Sequence, residues 1–156
     1  MSEFSIRAAT ASDAPAILKL LYELADYEKL LHRFHLTEAI VARDMLGSAC
    51  HTDLGFAGGE AVAVATWGWI FKSFAAKRGL FLEDLYVRPA FRGRGLGKAM
   101  LLRLAQTARE ADGFVEWQVL DWNTPSIEFY KSLGATLMPD WITCRLEGEA
   151  LQRIAS

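Results

Sequence analysis

The residues best placed to do chemistry lie in one run. Glu83-Asp84 sits inside the apolar stretch Leu80 to Val87, and Arg92-Gly93-Arg94-Gly95-Leu96-Gly97-Lys98 follows shortly after. The first part reads as a buried strand ended by Pro89, the second as a glycine-rich turn opening a long helix. Amides left free at a helix start, in a turn with little side-chain bulk, favour an anion such as a pyrophosphate. The same glycines also suit a bare, tight strand-to-helix turn. The Walker pattern, with its Gly-Lys-Ser/Thr ending, is absent, which disfavours an ATPase loop. Neighbouring strand residues point to opposite faces, so one carboxylate of Glu83 and Asp84 is expected to face a reaction site and the other to pack or pair elsewhere. An amine substrate arrives protonated, with a pKa of about 10.4 if it resembles lysine, and a carboxylate acting through water can take that proton.

These residues need elements to hold them. Phe4-Ser5-Ile6-Arg7 alternates as a first strand. Thr10 or Ser12 can cap a helix with Pro15 near its start, along which Ile17, Leu20, Leu21, Leu24 and Ala25 recur at helical spacing. Asp26-Tyr27-Glu28 lies on its end, Leu30 to Phe34 is a loop, and Thr37 opens a second helix that stops near Gly47. Leu54 to Ala57 and Ala61 to Trp69 read as strands around Gly58-Gly59, with Phe71 to Arg78 as an aromatic and basic loop. Leu96, Met100, Leu101, Leu104, Ala105 and Ala108 line one face of a helix from Gly95 to Ala111. Phe114 to Leu120 is expected as a strand, a short helix from Thr124-Pro125 runs to Gly134, and 136–138 and 141–146 are expected as closing strands. The order describes a mixed α/β (α+β) sheet with helices on its faces, in a single domain over residues 1–156.

The totals narrow the function. With 52% hydrophobic and 23% charged residues the chain is globular, and its net charge of -2 argues against a nucleic-acid surface. The local basic cluster of Arg88, Arg92, Arg94 and Lys98 coincides with the glycine-rich turn, which suits a small phosphate-bearing ligand. No apolar run reaches the length of a membrane span and no signal core precedes the first strand, so a cytoplasmic chain is expected. Cys50 and Cys144 are expected to be ordinary buried, reduced thiols, and His32, His35 and His51 show no metal-ligand spacing.

The run from Leu82 to Leu101 resembles the acetyl-CoA signature of the GNAT N-acetyltransferases, Arg/Gln-x-x-Gly-x-Gly/Ala, with Arg92, Gly95 and Gly97 at its fixed positions. Asp121 to Lys131 with Leu133-Gly134-Ala135 resembles the family's second cofactor-side motif. Leu24 to Glu28 and Leu82-Glu83-Asp84 narrow the likeness to the spermidine/spermine (diamine) N-acetyltransferase and thialysine N-epsilon-acetyltransferase group. The resemblance implies a GNAT fold, its mostly antiparallel sheet splayed at the acetyl-CoA site, with acetyl-CoA as cosubstrate and no metal. It implies that Leu85, Tyr86 and Val87 pair by backbone with the pantetheine arm. Arg92, Gly93, Arg94, Gly95, Leu96, Gly97 and Lys98 would hold the pyrophosphate, and Asn123 would bond the pantetheine amides. Glu83 becomes the base acting through water and Tyr130 the acid that protonates the CoA thiolate, a phenol of pKa about 10 facing a thiolate of about 8.5.

Asp84 then helps attract the cationic amine, and Asp26, Tyr27, Glu28 and Trp141 match pocket positions of the group. Where the polyamine enzymes carry further acids, this chain has Leu31-His32-Arg33-Phe34-His35 and Met138-Pro139-Asp140. Fewer acids favour a smaller mono- or diamine, such as a lysine analogue, over spermine. The expected partner is a small-molecule amine, with no nucleic acid and no membrane. A homodimer in contact through the C-terminal strands is expected by resemblance. The competing readings are a protein, peptide or antibiotic N-acetyltransferase, and a non-catalytic acyl-CoA sensor on the same fold.

Overall fold

The structure is a computed structural model that describes residues 3–156. The chain divides into two compact units, the first ending at Gln118 and the second Val119–Ser156. All strands found among the described residues lie in the first. They are β1 (Phe4–Ala8), β2 (His51–Ala57), β3 (Glu60–Lys72), β4 (Lys77–Val87) and β5 (Phe114–Trp117). They pair in chain order, antiparallel from β1 to β4, with β5 added parallel to β4. The Gly58-Gly59 turn takes positive φ at both residues, the backbone that a two-residue hairpin with native twist needs. The expected loop over Phe71 to Arg78 shrinks to a turn over 73–76, its two ends being strand. β3 runs to Lys72 and β4 starts at Lys77, because the alternating residues at the loop's two ends face each other in register.

Helices α1 (Ala14–Tyr27) and α3 (Leu96–Glu110) cover opposite faces. On one face Ile17, Leu20, Leu21 and Leu24 pack with Leu54, Val64 and Tyr86, joined by Val41 of the short α2 (Glu38–Asp44). Thr10 leads a single 3-10 turn and α1 itself begins after Asp13, with Pro15 in its first turn where a missing amide costs little. Thr37 caps α2 by accepting from the Ile40 amide. On the other face α3 approaches so closely that a Cβ at Gly55 would stand 3.1 Å from Leu96 Cδ1 and 3.3 Å from Met100 Sδ. Asp53, buried under α3, accepts from Trp67 Nε1 at 3.1 Å and pairs with Arg103 of α3 at 3.1 Å. A buried carboxylate without that arginine would carry an uncompensated charge, so the pair fixes where α3 sits.

One irregularity matters for function. Thr66 of β3 lies opposite Asp84 and Trp67 opposite Leu82, which leaves Glu83 as an extra residue in β4, a β-bulge. The bulge resets the alternation. From Asp84 onward the strand sends Asp84 and Tyr86 to the α1 face, as the Thr66–Asp84 bond and the packing of Tyr86 show. The strict alternation expected across Glu83 and Asp84 is interrupted at Glu83.

The second unit contains α4 (Thr124–Ser132) and α5 (Gly148–Ala155). Asn123 caps α4 by accepting from Ser126 N at 3.4 Å, and Gly134 at φ 88 ends the turn that follows. The closing strands expected at 136–138 and 141–146 are absent, and β5 stops at Trp117 rather than Leu120. Alternation marks a candidate strand, but strand amides need a partner edge, and here Leu137, Met138, Trp141 and Ile142 are exposed instead. The dimer contact assigned to C-terminal strands therefore has no strands to form it. Helix α5 was not anticipated. Cys144 is exposed and Cys50 half-buried, which corrects the expectation of two buried thiols.

Candidate active site

The glycine-rich turn is built for close approach. Gly93 and Gly95 take φ values of 74° and 87°, the left-handed region that costs other residues about 1–2 kcal/mol. A Cβ added at either would meet nothing within 4 Å, so the space beside the backbone is open. Gly95 is the N-cap of α3, and the first bond back into the helix is Ala99 N to Gly95 O at 2.9 Å. The amides of Leu96, Gly97 and Lys98 therefore have no carbonyl of their own helix to bond. Free amides, open glycines and the positive end of a fifteen-residue helix together fit a pyrophosphate.

The side chains around the turn divide their work. Arg92 Nε donates to Val87 O at 2.8 Å, and its guanidinium lies over the rings of Tyr27 (5.2 Å) and Tyr86 (5.6 Å). Arg94 pairs with Glu3 and lies beside Phe4 and Phe91. Leu96, Tyr86 and Val87 are buried, so only their backbone is available to a ligand, while Lys98 is exposed. Arg88, which the sequence grouped with the anion-binding cations, binds carboxylates of the fold. Nε and Nη2 each meet Glu23 at 3.0 Å, and Nη1 meets Glu60 at 2.6 Å. These bonds push the Arg88 pKa up, and with Tyr86 OH donating to Glu23 at 3.3 Å they tie α1 to the end of β4. Burial and then Glu23 push the Tyr86 phenol up. No local pattern marks this network, because Glu23 and Arg88 are far apart in the chain.

The parallel ladder between β4 and β5 ends at Leu82 opposite Trp117. From Glu83 to Val87 that edge of β4 has no strand beside it among the described residues, so the sheet opens where Leu85, Tyr86 and Val87 were expected to take the pantetheine arm.

On the α1 side of this opening the carboxylates collect. Glu83 is exposed; Asp84 is half-buried and accepts from Thr66 Oγ1 at 2.5 Å. Burial pushes the Asp84 pKa up, the Thr66 bond holds it down, and the neighbouring Glu83 charge pushes it up again. Glu28, just past the end of α1, is likewise pushed up by burial and then by Asp84. The Cys50 thiol is raised by burial and then by the charges of Asp84, Glu83 and Asp44, so it is a weak nucleophile. The other inward-facing carboxylates have cationic partners: Asp53 has Arg103, Glu23 has Arg88 and Asp13 has Arg7. Among the described residues Glu28, Glu83 and Asp84 have none.

The first unit thus brings together Glu28 and Asp84, with Glu83 in the bulge beside Asp84, and carries Arg92 to Lys98 in the turn that follows β4. Asp26 and Tyr27 are exposed at the end of α1, with Tyr27 turned to Arg92. Asn123, Tyr130 and Trp141 belong to the second unit. There Asn123 is buried, Tyr130 is half-buried with its ring 5.5 Å from that of Phe129, and Trp141 is exposed. No group of three His, Cys, Asp or Glu among the described residues could hold a metal ion. No helix there is long and apolar enough to cross a membrane.

The fold and the glycine turn define an acyl-CoA-dependent N-acetyltransferase with acetyl-CoA as cosubstrate. The chain belongs to the Acetyltransferase (GNAT) family, whose model matches residues 16–135. It is 33% identical to the thialysine N-epsilon-acetyltransferase of Bos taurus, with 99% of each chain covered. Identity to the L-ornithine N5-acetyltransferase of Arabidopsis thaliana is 30%, over 96% of this chain and 86% of that one. It is 36% for the spermidine/spermine N(1)-acetyltransferase-like protein 1 of Homo sapiens, over 86% of this chain and 21% of that longer protein. An integron cassette protein from the mobile metagenome of V. cholerae shares the fold, with a TM-score of 0.82 at 21% identity and 99% of each chain covered.

Proposed function

We propose that this enzyme moves acetyl from acetyl-CoA to a primary amine of a small molecule, a diamine, polyamine or lysine analogue such as thialysine. The observation that carries this reading is the set of carboxylates without cationic partners, Glu28, Glu83 and Asp84, beside the opening of β4. Glu28 and Asp84 are drawn partly into the protein without a counter-charge, which is costly, and an ammonium group would supply the missing charge. The named activities of the relatives from Bos taurus, Arabidopsis thaliana and Homo sapiens support an amine of that kind. The family model runs across both compact units, which supports treating residues 1–156 as one acetyltransferase domain. A cytoplasmic homodimer belongs to the same reading, on the family resemblance.

In the proposed reaction Asp84 and Glu28 hold the ammonium end of the substrate, with Asp26 and Tyr27 at the rim, and Trp141 is a substrate contact by the family resemblance. Glu83, exposed to solvent, accepts through water the proton that the ammonium gives up. Acetyl-CoA supplies a thioester: a C–N bond forms as the C–S bond breaks, with no covalent enzyme intermediate. A β4 amide near Leu85 polarises the carbonyl, Tyr130 gives its phenolic proton to the departing sulfur, and the second proton, shed by the nitrogen as the amide forms, restores the phenol. The Arg92 to Lys98 turn holds the pyrophosphate, and Asn123 bonds the pantetheine amides.

The test is release of CoA with a panel of diamines, polyamines, thialysine, ornithine, lysine and aminoglycosides, repeated with Tyr130→Phe. Turnover with a small di- or polyamine or a lysine analogue is expected, and Tyr130→Phe should slow it about 100-fold with acetyl-CoA affinity unchanged. An unchanged rate removes Tyr130 from the acid role. Failure to release CoA with any of the amines ends the proposal.

A further inference from the structure

We propose that Thr66 is a positioning residue of the amine site, whose buried hydroxyl aims the Asp84 carboxylate and keeps it ready to meet an ammonium group. This rests on the reading of Asp84 as an amine ligand.

Thr66 lies in the middle of β3, only 1% exposed, directly opposite Asp84 in the register. Its Oγ1 donates to Asp84 Oδ2 at 2.5 Å, a length in the range of hydroxyl-to-carboxylate bonds. It is the one hydrogen-bond donor found for Asp84 among the described residues. The groups whose charges couple with this carboxylate are acidic: Glu83 beside it, Glu28 at the end of α1, and Cys50 ahead of β2, itself also under the influence of Asp44. A carboxylate in such company gains from a donor that fixes its orientation and favours its charged form. The bulge at Glu83 is what brings Asp84 into register with Thr66. Packing alone would be served as well by valine, which has the same branched shape and strand preference. The hydroxyl is therefore the informative atom.

The experiment uses the full chain in four forms: wild type, Thr66→Val, Thr66→Ser and Asp84→Asn. The carboxyl carbon of Asp84, assigned by its loss in Asp84→Asn, is followed by NMR as the pH is varied without ligand. Binding of thialysine and spermidine is measured by calorimetry in the presence of CoA from pH 5 to 8. In Thr66→Val the Asp84 titration should move up by about one pH unit, the worth of a hydrogen bond to a charged group. Amine affinity should drop about twofold near the new midpoint and approach a roughly tenfold drop below the wild-type midpoint, where one pH unit is fully expressed in the ionised fraction. Thr66→Ser should match wild type, and CoA affinity should be equal in all four.

If Thr66→Val fails to fold, Thr66→Ala carries the same expectation. An unmoved titration, with Asp84→Asn still weakening amine binding, overturns the role of Thr66 and leaves the Asp84 reading standing. A shifted titration with amine binding untouched by Asp84→Asn, or with neither amine bound, removes Asp84 as ligand and the Thr66 role with it.

Discussion

The Arg92–Lys98 turn and the Glu83–Asp84 pair lie close together in the chain, yet they present charge by different means. The turn works through backbone: positive-φ glycines, open space beside them and unpaired amides at the head of α3. Its arginines are largely engaged with the protein, Arg92 with the Val87 carbonyl and Arg94 with Glu3. The acidic pair works through side chains that lack cationic partners, on a strand where a bulge has broken the pleat. A backbone site depends on conformation and tolerates changes in the surrounding side chains. A side-chain site depends on burial, neighbours and protonation.

That contrast can be broken at each end. The largest effect is expected on the acidic side. Glu83→Gln should lower kcat/KM for the amine about 100-fold, the worth of a general base, while the KM for acetyl-CoA stays near wild type. A matching rise in the acetyl-CoA KM would show that the two ends are not separable. On the turn, Gly95→Ala meets no atoms but forces alanine into the left-handed region at about 1–2 kcal/mol. Steady-state kinetics should show a roughly tenfold higher acetyl-CoA KM with an unchanged amine KM, since 1.4 kcal/mol is a factor of ten. Equal damage to both constants would mean that the turn also shapes the amine site.

The smallest effect sharpens the comparison through stability. Asp84 and Glu28 have pKa values raised by folding, so their contribution is fully present below the ordinary carboxylate pKa and is lost as pH rises through the raised values. The free enzyme should therefore lose a little Tm upward from about pH 4, and Asp84→Asn should flatten that decline while weakening amine binding. Asp13, held well below the ordinary range chiefly by the Arg7 hydrogen bond, acts in the opposite sense. Its contribution is present above the ordinary carboxylate pKa and is lost as pH falls through its depressed value, so the two windows separate in thermal melts. A Tm profile in Asp84→Asn that declines as steeply as wild type would contradict the burial assigned to that carboxylate.

The same contrast explains what could be read from the sequence. Glycine spacing, a capping proline and apolar periodicity are local, and they located β4, the turn, α3 and the hairpin at Gly58-Gly59. The splayed, mostly antiparallel sheet followed from the family resemblance. The bulge at Glu83 was not legible, because it exists only in the pairing of β4 with β3. The Thr66–Asp84 bond and the Glu23–Arg88 tie join residues distant in the chain, and nothing in either segment announces the other. The closing strands failed for a related reason: alternation cannot say whether a partner edge exists for residues 136–146.

The end of the β4–β5 ladder at Leu82 has one more consequence. An unpaired strand edge is a template for another chain, the usual start of edge-to-edge aggregation. Here the edge beyond the ladder begins with a bulge and two successive acidic residues, two of the devices by which native sheets repel a foreign strand. The features assigned to amine chemistry thus also act as gatekeepers, and neutralising both carboxylates would remove a solubility safeguard together with a binding site.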